Sequence, residues 1–305
     1  YLAIKGKAMQ DFIAVLDFGS QYAHLIAKRV RHLGAYTQIF SPSASKELLS
    51  QAKGIILSGG PSSVGSSRIP NFNSKIFELN LPVLGLCYGH QLIAKEFGGT
   101  ITNTGKGEFG KATLTQTADF KLWKNVSFPN QVWMSHQDSV TECPPDFKVT
   151  GVTTSGCIAA MNHCILPIYT LQFHPEVNDS EQGLTMLENF VNICDLSGHW
   201  SMDNFIEETT WRLRQEVGNR KILMFISGGV DSSVAFALLN KVLGKENILG
   251  LYIDNGFMRK DESTEIMDRY QNLGYYNIES RDYSTFFLDA VSEEVDPQIK
   301  RHKIG

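Results

Sequence analysis

Continuous apolar runs, each released into a glycine-bearing turn and then a helix-periodic segment, limit what this chain can become. Phe12-Ile13-Ala14-Val15-Leu16 runs into Asp17-Phe18-Gly19-Ser20-Gln21-Tyr22 and a helical stretch that stops at Gly34. Residues 54–57 run into Ser58-Gly59-Gly60-Pro61. Pro82-Val83-Leu84 runs into Gly85-Leu86-Cys87-Tyr88-Gly89 and an apolar-periodic stretch that stops at Gly98-Gly99. The pattern returns in the second half, where Ile222-Leu223-Met224-Phe225-Ile226 leads into a Ser/Gly loop and residues 248–253 lead into Asp254-Asn255-Gly256. Strands without polar alternation are buried on both faces, so the reading is α/β, with mostly parallel sheets and helices on both sides. Residues 100–170 differ. Their Thr-rich alternation, as in Lys111-Ala112-Thr113-Leu114-Thr115, predicts antiparallel strands added at the sheet edge. Residues 169–173 form a last strand that delivers His174-Pro175-Glu176.

At 305 residues two domains are expected. A break at Asp195-Leu196-Ser197-Gly198 divides the chain into 9–197 and 200–305, with Met9 read as the natural start. The formal net charge of −4 gives no reason to expect nucleic acid or a membrane surface as partner. Five unevenly spaced cysteines argue against a disulfide framework and for a reducing, cytoplasmic setting. No CxxC pair or His-rich tract points to structural zinc, and no apolar run is long enough to span a bilayer.

In parallel α/β sheets, sites lie at the carboxyl ends of strands. Cys87 sits at such an end, with glycine two residues before and after it, which is the nucleophile-elbow pattern. The following helix would aim its N–H groups and dipole at the sulfur and favour thiolate. His174 and Glu176 supply a base and an orienting carboxylate, and strand alternation would put i and i+2 on one side. The oxyanion donors would be the N–H of Tyr88 and one from Gly59 or Gly60. Each motif has a plainer reading: a buried cysteine, an exposed His-Pro-Glu turn, a tight Gly-Gly turn. Ser227-Gly228-Gly229-Val230-Asp231-Ser232-Ser233 joins a strand to a helix N-terminus and suits a polyanion, although it has no Walker lysine. Pyrophosphate is the expected occupant, with Asp231 helping to hold Mg2+. A Ser-rich helix cap is the alternative.

The 17–22, 58–61, 85–91, Met134-Ser135-His136 and Gln172-Phe173-His174-Pro175-Glu176-Val177 segments together resemble class I glutamine amidotransferases. The 227–233 loop, Ile253-Asp254-Asn255-Gly256 and the stretch from Asp296-Pro297 to Gly305 resemble the ATP-pyrophosphatase domain of the GMP synthetase family. The resemblance implies glutamine, ATP and XMP as substrates, no prosthetic group, and a homodimer for the full-length family. It implies that Cys87 attacks the glutamine amide, that His174 shuttles the proton, and that Gln91, Ser135 and His136 line the glutamine pocket. Three departures stand out. Gln137 replaces the glycine usual after Ser-His, which would matter if that position needs φ > 0. Thr170-Leu171 replaces Gly-Val, with little consequence expected. The family continues past Gly305, through the rest of the ATP domain and a dimerisation domain. A glutaminase-only protein, or a non-catalytic nucleotide-binding homologue, are the competing readings.

Overall fold

The apolar runs become strands in a computed structural model that describes residues 11–20, 22–61, 71–196, 198 and 200–304. Met9, Gln21, Ser197 and Gly305, each named above, lie outside these residues. The chain divides into two compact units, ending at Ser201 and starting at Met202.

In the first unit β1 (Ile13–Leu16), α1 (Ala23–His32), β2 (Thr37–Phe40), α2 (Lys46–Leu49), β3 (Gly54–Leu57), β4 (Val83–Leu86) and α3 (Tyr88–Glu96) alternate strand and helix. The antiparallel stretch follows as β5 (Thr100–Gln116), β6 (Asn130–Glu142), β7 (Phe147–Thr153) and β8 (Ile158–His163), before β9 (Ile168–Leu171) and α4 (Gly183–Ile193). One sheet holds all nine strands in the order β2-β1-β3-β4-β9-β8-β7-β5-β6. It is parallel from β2 to β9 and antiparallel beyond.

Both faces are covered, as unalternating strands require. Ile13 and Val15 pack with α1 and α4, while Ala14 and Leu16 pack with Leu92 and Ile93 of α3. Burial of a side chain such as Ile13, Val15 or Leu16 contributes about 1.5–3 kcal/mol. This order sets the carboxyl ends of β1, β3, β4 and β9 side by side, and the loops that leave them build the site.

The second unit runs α5 (Met202–Val217), β10 (Ile222–Ile226), α6 (Val230–Leu243), β11 (Ile248–Asp254), α7 (Glu262–Asn272), β12 (Ile278–Asp282), α8 (Ser284–Val291) and α9 (Pro297–Ile304). Its three strands are parallel, in the order β10-β11-β12. Ile226, Phe236, Ile248, Tyr252, Ile266 and Tyr270 fill the core on one face. On the other face Leu223 is 56% and Phe225 64% exposed. The expectation of burial on both faces is therefore met only in the first unit; the described residues of the second leave one face of β10 uncovered. The first turn of α6 also begins earlier than expected. Val230 and Asp231 are helical, and the N-cap is Gly229, not a Ser or Asp side chain.

Candidate active site

Cys87 follows β4 directly and occupies the N-cap of α3 with φ 50° and ψ −101°. A non-glycine residue in this region is strained, and such strain concentrates at functional sites. Gly85 and Gly89, by contrast, have no positive φ. A Cβ on Gly85 would lie 2.6 Å from the Gly89 carbonyl oxygen, and one on Gly89 would lie 2.6 Å from that of Leu57. The two glycines are needed because α3 lies hard against β3 and β4, not because the turn bends at them. The cysteine itself carries the unusual conformation.

The sulfur makes no capping hydrogen bond to α3, contrary to the expected N–H contacts. The first N–H groups of the helix have no intrahelical acceptor, so that of Tyr88 stays available for an incoming oxyanion. Cys87 Sγ lies instead 3.6 Å from the Ser135 carbonyl oxygen. His174 lies beside it, since a Cβ on Gly59 would touch both residues.

His174 and Glu176 pair as expected, Nδ1 donating to Glu176 Oε1 at 2.8 Å, with both side chains buried. The reason differs from the one anticipated. β9 ends at Leu171, so strand alternation does not align them. The loop is instead pinned along its backbone. The His174 N–H donates to the Trp133 carbonyl at 3.0 Å. Ser180 Oγ donates to the His174 carbonyl at 2.6 Å, and Arg29 Nε donates to that of Glu176 at 3.0 Å. The ring of Tyr22 lies 5.0 Å from that of His174, centroid to centroid. Burial by itself would lower the His174 pKa; its interactions with neighbouring Cys87 and with hydrogen-bonded Glu176 outweigh it and raise the imidazole to about 10.

The 58–60 loop closes the site from β3. A Cβ on Gly59 would meet His174 Cε1 at 3.2 Å and Cys87 Cβ at 3.7 Å, and one on Gly60 would meet the Phe18 carbonyl oxygen at 3.0 Å. Ser58 Oγ holds this loop, accepting from the Phe18 N–H and donating to the Gly59 carbonyl. Beside Cys87 a cavity of about 410 Å³ is lined by Gly60, Tyr88, Gln91, Ser135, His136 and Gln137, among others. Gln91 Nε2 donates to the Asp138 carbonyl at 2.7 Å and to Gln172 Oε1 at 3.2 Å. With both donors used, Gln91 offers the cavity only its carbonyl oxygen. His136 is buried, and that burial holds its imidazole below the usual range.

Gln137 raises no backbone difficulty, although it lines the cavity. It sits on β6, exposed, and without positive φ. Thr170, in contrast, carries more than expected. Its hydroxyl donates to the Met161 carbonyl at 3.1 Å and accepts from His90 Nδ1 at 2.9 Å. Burial pushes His90 down to about 3, so it is neutral beneath the elbow. Thr170→Val keeps the shape but strands a buried N–H. It should cost about 1–3 kcal/mol, read as a lower urea midpoint with an unchanged slope.

In the second unit the 227–233 segment folds back on itself. Ser227 and Ser232 hydroxyls are 3.1 Å apart, the Gly229 N–H donates to Ser227 Oγ, and Ser232 and Ser233 hydroxyls donate to the Gly229 carbonyl. Gly228 has φ +77°, and a Cβ there would come within 2.4 Å of Ile266. No side chain caps α6. That leaves its first-turn N–H groups for an anion, with Asp231 exposed beside them. At the next strand end Asp254 Oδ1 accepts from the Gly256 N–H, and Oδ2 from Ser263 Oγ.

Sequence reasoning gave no role to Tyr22, Arg29, Ser58, Thr170 and Ser180, which brace the site by ring packing and hydrogen bonds. Tyr22 and Ser58 stand in motifs named above and Thr170 in a noted departure, whereas Arg29 and Ser180 carry no signal.

Comparison with known proteins agrees with this geometry. Residues 203–301 match the NAD synthase family model. A GMP synthase [glutamine-hydrolyzing] of Fusobacterium nucleatum is 44% identical over 297 residues, covering 96% of this chain and 58% of the relative. One from Alkaliphilus metalliredigens is 39% identical over 299 residues, covering 97% and 58%. The chain thus spans 58% of the length of these curated relatives. The crystal structure of a candidate GMP synthase component from Thermoplasma acidophilum superposes with a TM-score of 0.57 at 28% identity, over 62% of this chain and 96% of that one. Residues 14–194, more than half the chain and all of the site around Cys87, match the family model for glutamine amidotransferase class-I, and the chain belongs to that family.

Proposed function

We propose that this chain carries the glutamine-hydrolysing and ATP-binding parts of a GMP synthase, with residues 9–197 as the glutaminase domain and 200–305 as part of the nucleotide domain. The observation that carries this reading is the convergence of Cys87, His174 and Glu176 at one cleft, in a chain whose second unit presents an uncapped, glycine-bearing helix N-terminus.

Cys87 adds through sulfur to the side-chain amide carbon of glutamine. The oxyanion is met by the N–H of Tyr88 and one from Gly59 or Gly60. His174 delivers a proton to the leaving nitrogen, the C–N bond breaks, and ammonia departs. A γ-glutamyl thioester remains, which water hydrolyses to glutamate. Gln91 and Ser135 hold the glutamine in the pocket that His136 lines. In the nucleotide domain the C2 oxygen of XMP attacks the α-phosphorus of ATP, and pyrophosphate leaves into the 227–233 loop. Ammonia then displaces AMP to give GMP.

The loop fits a polyphosphate on its own features: the glycine at positive φ, the Ser227, Ser232 and Ser233 hydroxyls, and the uncapped helix end. Asp231 stands where it would meet Mg2+ carried by the phosphates, which would neutralise charge on the departing pyrophosphate. Asp231→Ala should raise the Mg-ATP requirement roughly tenfold or more and leave glutaminase activity unchanged. Unaltered Mg-ATP dependence would remove Asp231 from the site. No helix among the described residues is long and apolar enough to cross a membrane, and a cytoplasmic setting suits these substrates.

The test supplies amide-15N glutamine, Mg-ATP and XMP, and follows 15N into GMP together with AMP release. Labelled GMP supports the full reading. Labelled ammonia that never enters GMP would reduce the chain to a glutaminase. Absence of both would favour a nucleotide-binding homologue. Nicotinate adenine dinucleotide in place of XMP tests the acceptor suggested by the NAD synthase match.

A further inference from the structure

We infer that Glu108, His136 and Cys157 form a Zn2+ site beside the Cys87 cleft. It is independent of which nucleotide the second unit accepts. Glu108 and His136 face each other in the β5–β6 ladder, and Cys157 ends the turn that enters β8. One ligand atom from each lies within 4.8 Å of the others.

The pair at its centre makes little sense as a hydrogen bond. His136 Nδ1 lies 2.9 Å from the Asp138 carbonyl oxygen, which only accepts, so Nδ1 carries a proton. In the neutral ring Nε2 is then a lone pair. It faces Glu108 Oε2 at 3.4 Å, and both atoms are buried without a hydrogen-bond partner. The His136 side chain is 1% exposed. A protonated ring would draw the carboxylate to about 2.7–2.9 Å. Two acceptors aimed at each other at this distance are instead the edge of a coordination tetrahedron. Ligands about 2.0–2.1 Å from zinc at tetrahedral angles stand roughly 3.3–3.4 Å apart.

The third ligand and the outer partners agree. Cys157 adds sulfur to nitrogen and oxygen, a set that suits zinc. Glu108 Oε1 is already engaged, accepting from Thr153 Oγ1 at 3.1 Å and from Ser155 Oγ, so Oε2 is the oxygen left to bind. The Asp138 carbonyl fixes the His136 tautomer in the way outer partners of zinc ligands do. Binding displaces the thiol proton to solvent, leaves the fourth position to water, and ties β5, β6 and the β7–β8 turn together next to the cavity that His136 lines.

The experiment strips the protein with chelator and titrates it with Co2+ as a coloured stand-in for Zn2+. One Co2+ per chain is expected, with thiolate-to-cobalt charge-transfer absorption that Zn2+ bleaches. The absorption should persist in Cys87→Ser and vanish in Cys157→Ser. Ser155→Ala should weaken Zn2+ binding roughly tenfold or more. X-ray absorption of the Zn2+-loaded parent, which needs no variant, should count one sulfur among the ligands. No charge-transfer band in the parent, a band lost with Cys87→Ser and kept with Cys157→Ser, or a sulfur count other than one would overturn the assignment.

Discussion

Cys87→Ala is expected to lower glutamine hydrolysis by roughly 10⁴- to 10⁶-fold, because the remaining groups cannot form the thioester and act only as a unit with the nucleophile. The fold should survive. Cys87 is the only member of the elbow forced to positive φ, and alanine at φ 50° removes a sulfur without adding an atom. The packing that shapes the elbow belongs to Gly85 and Gly89, whose missing Cβ atoms let α3 rest on β3 and β4. Any synthesis supported by added ammonia should be untouched, since that route bypasses the thioester. The check is a paired assay of glutamate release and ammonia-dependent AMP release. Hydrolysis near the parent's rate would sink the nucleophile assignment.

Glu176→Gln is expected to cost on the order of 10³- to 10⁴-fold in the same hydrolysis, with little change in KM. Glu176 Oε1 accepts the His174 Nδ1 proton at 2.8 Å and leaves the other ring nitrogen to Cys87. A glutamine amide can donate at that position, which would turn the imidazole into the wrong tautomer. The substitution carries a second, independent readout. In the folded protein His174 is pushed up to about 10 from an ordinary 6.5. A raised folded value means that its stabilising contribution is fully present below about pH 6.5 and is lost as pH rises towards 10. The parent's melting temperature should therefore fall across that window, and the fall should be shallower in Glu176→Gln. Equal slopes would mean that Glu176 does not hold the charge on His174.

The strand runs of the chain carried the fold well, because unalternating apolar strands favour a parallel sheet covered on both sides, as in the first unit. Residues 13–16 show it, with alternate side chains entering two different cores. The motif glycines were legible as a pattern, but their cause was not. Space for α3, not freedom to turn, requires them. The His174–Glu176 pair was found through spacing, although β9 ends before it and the brace comes from Trp133, Ser180 and Arg29. Trp133 and Arg29 stand in other elements, β6 and α1, and only the folded backbone brings them to the loop that Ser180 shares with the pair. The same holds for Thr170, whose value depends on His90 beneath it. Glu108, His136 and Cys157 sit on separate strands and turns with no metal-ligand spacing, so the folded ladder alone reveals them. The exposed face of β10 was equally hidden, because Leu223 and Phe225 read as any buried strand would.

Covalent capture of the nucleophile bears most directly on the central claim, that Cys87 attacks glutamine. The protein is treated with a glutamine-mimicking diazoketone, digested, and its labelled peptides are identified by mass spectrometry. One label per chain is predicted on Cys87, blocked by excess glutamine and lost together with hydrolysis. Label on Cys143, Cys157, Cys164 or Cys194 instead, or hydrolysis that continues while Cys87 is fully labelled, would contradict it.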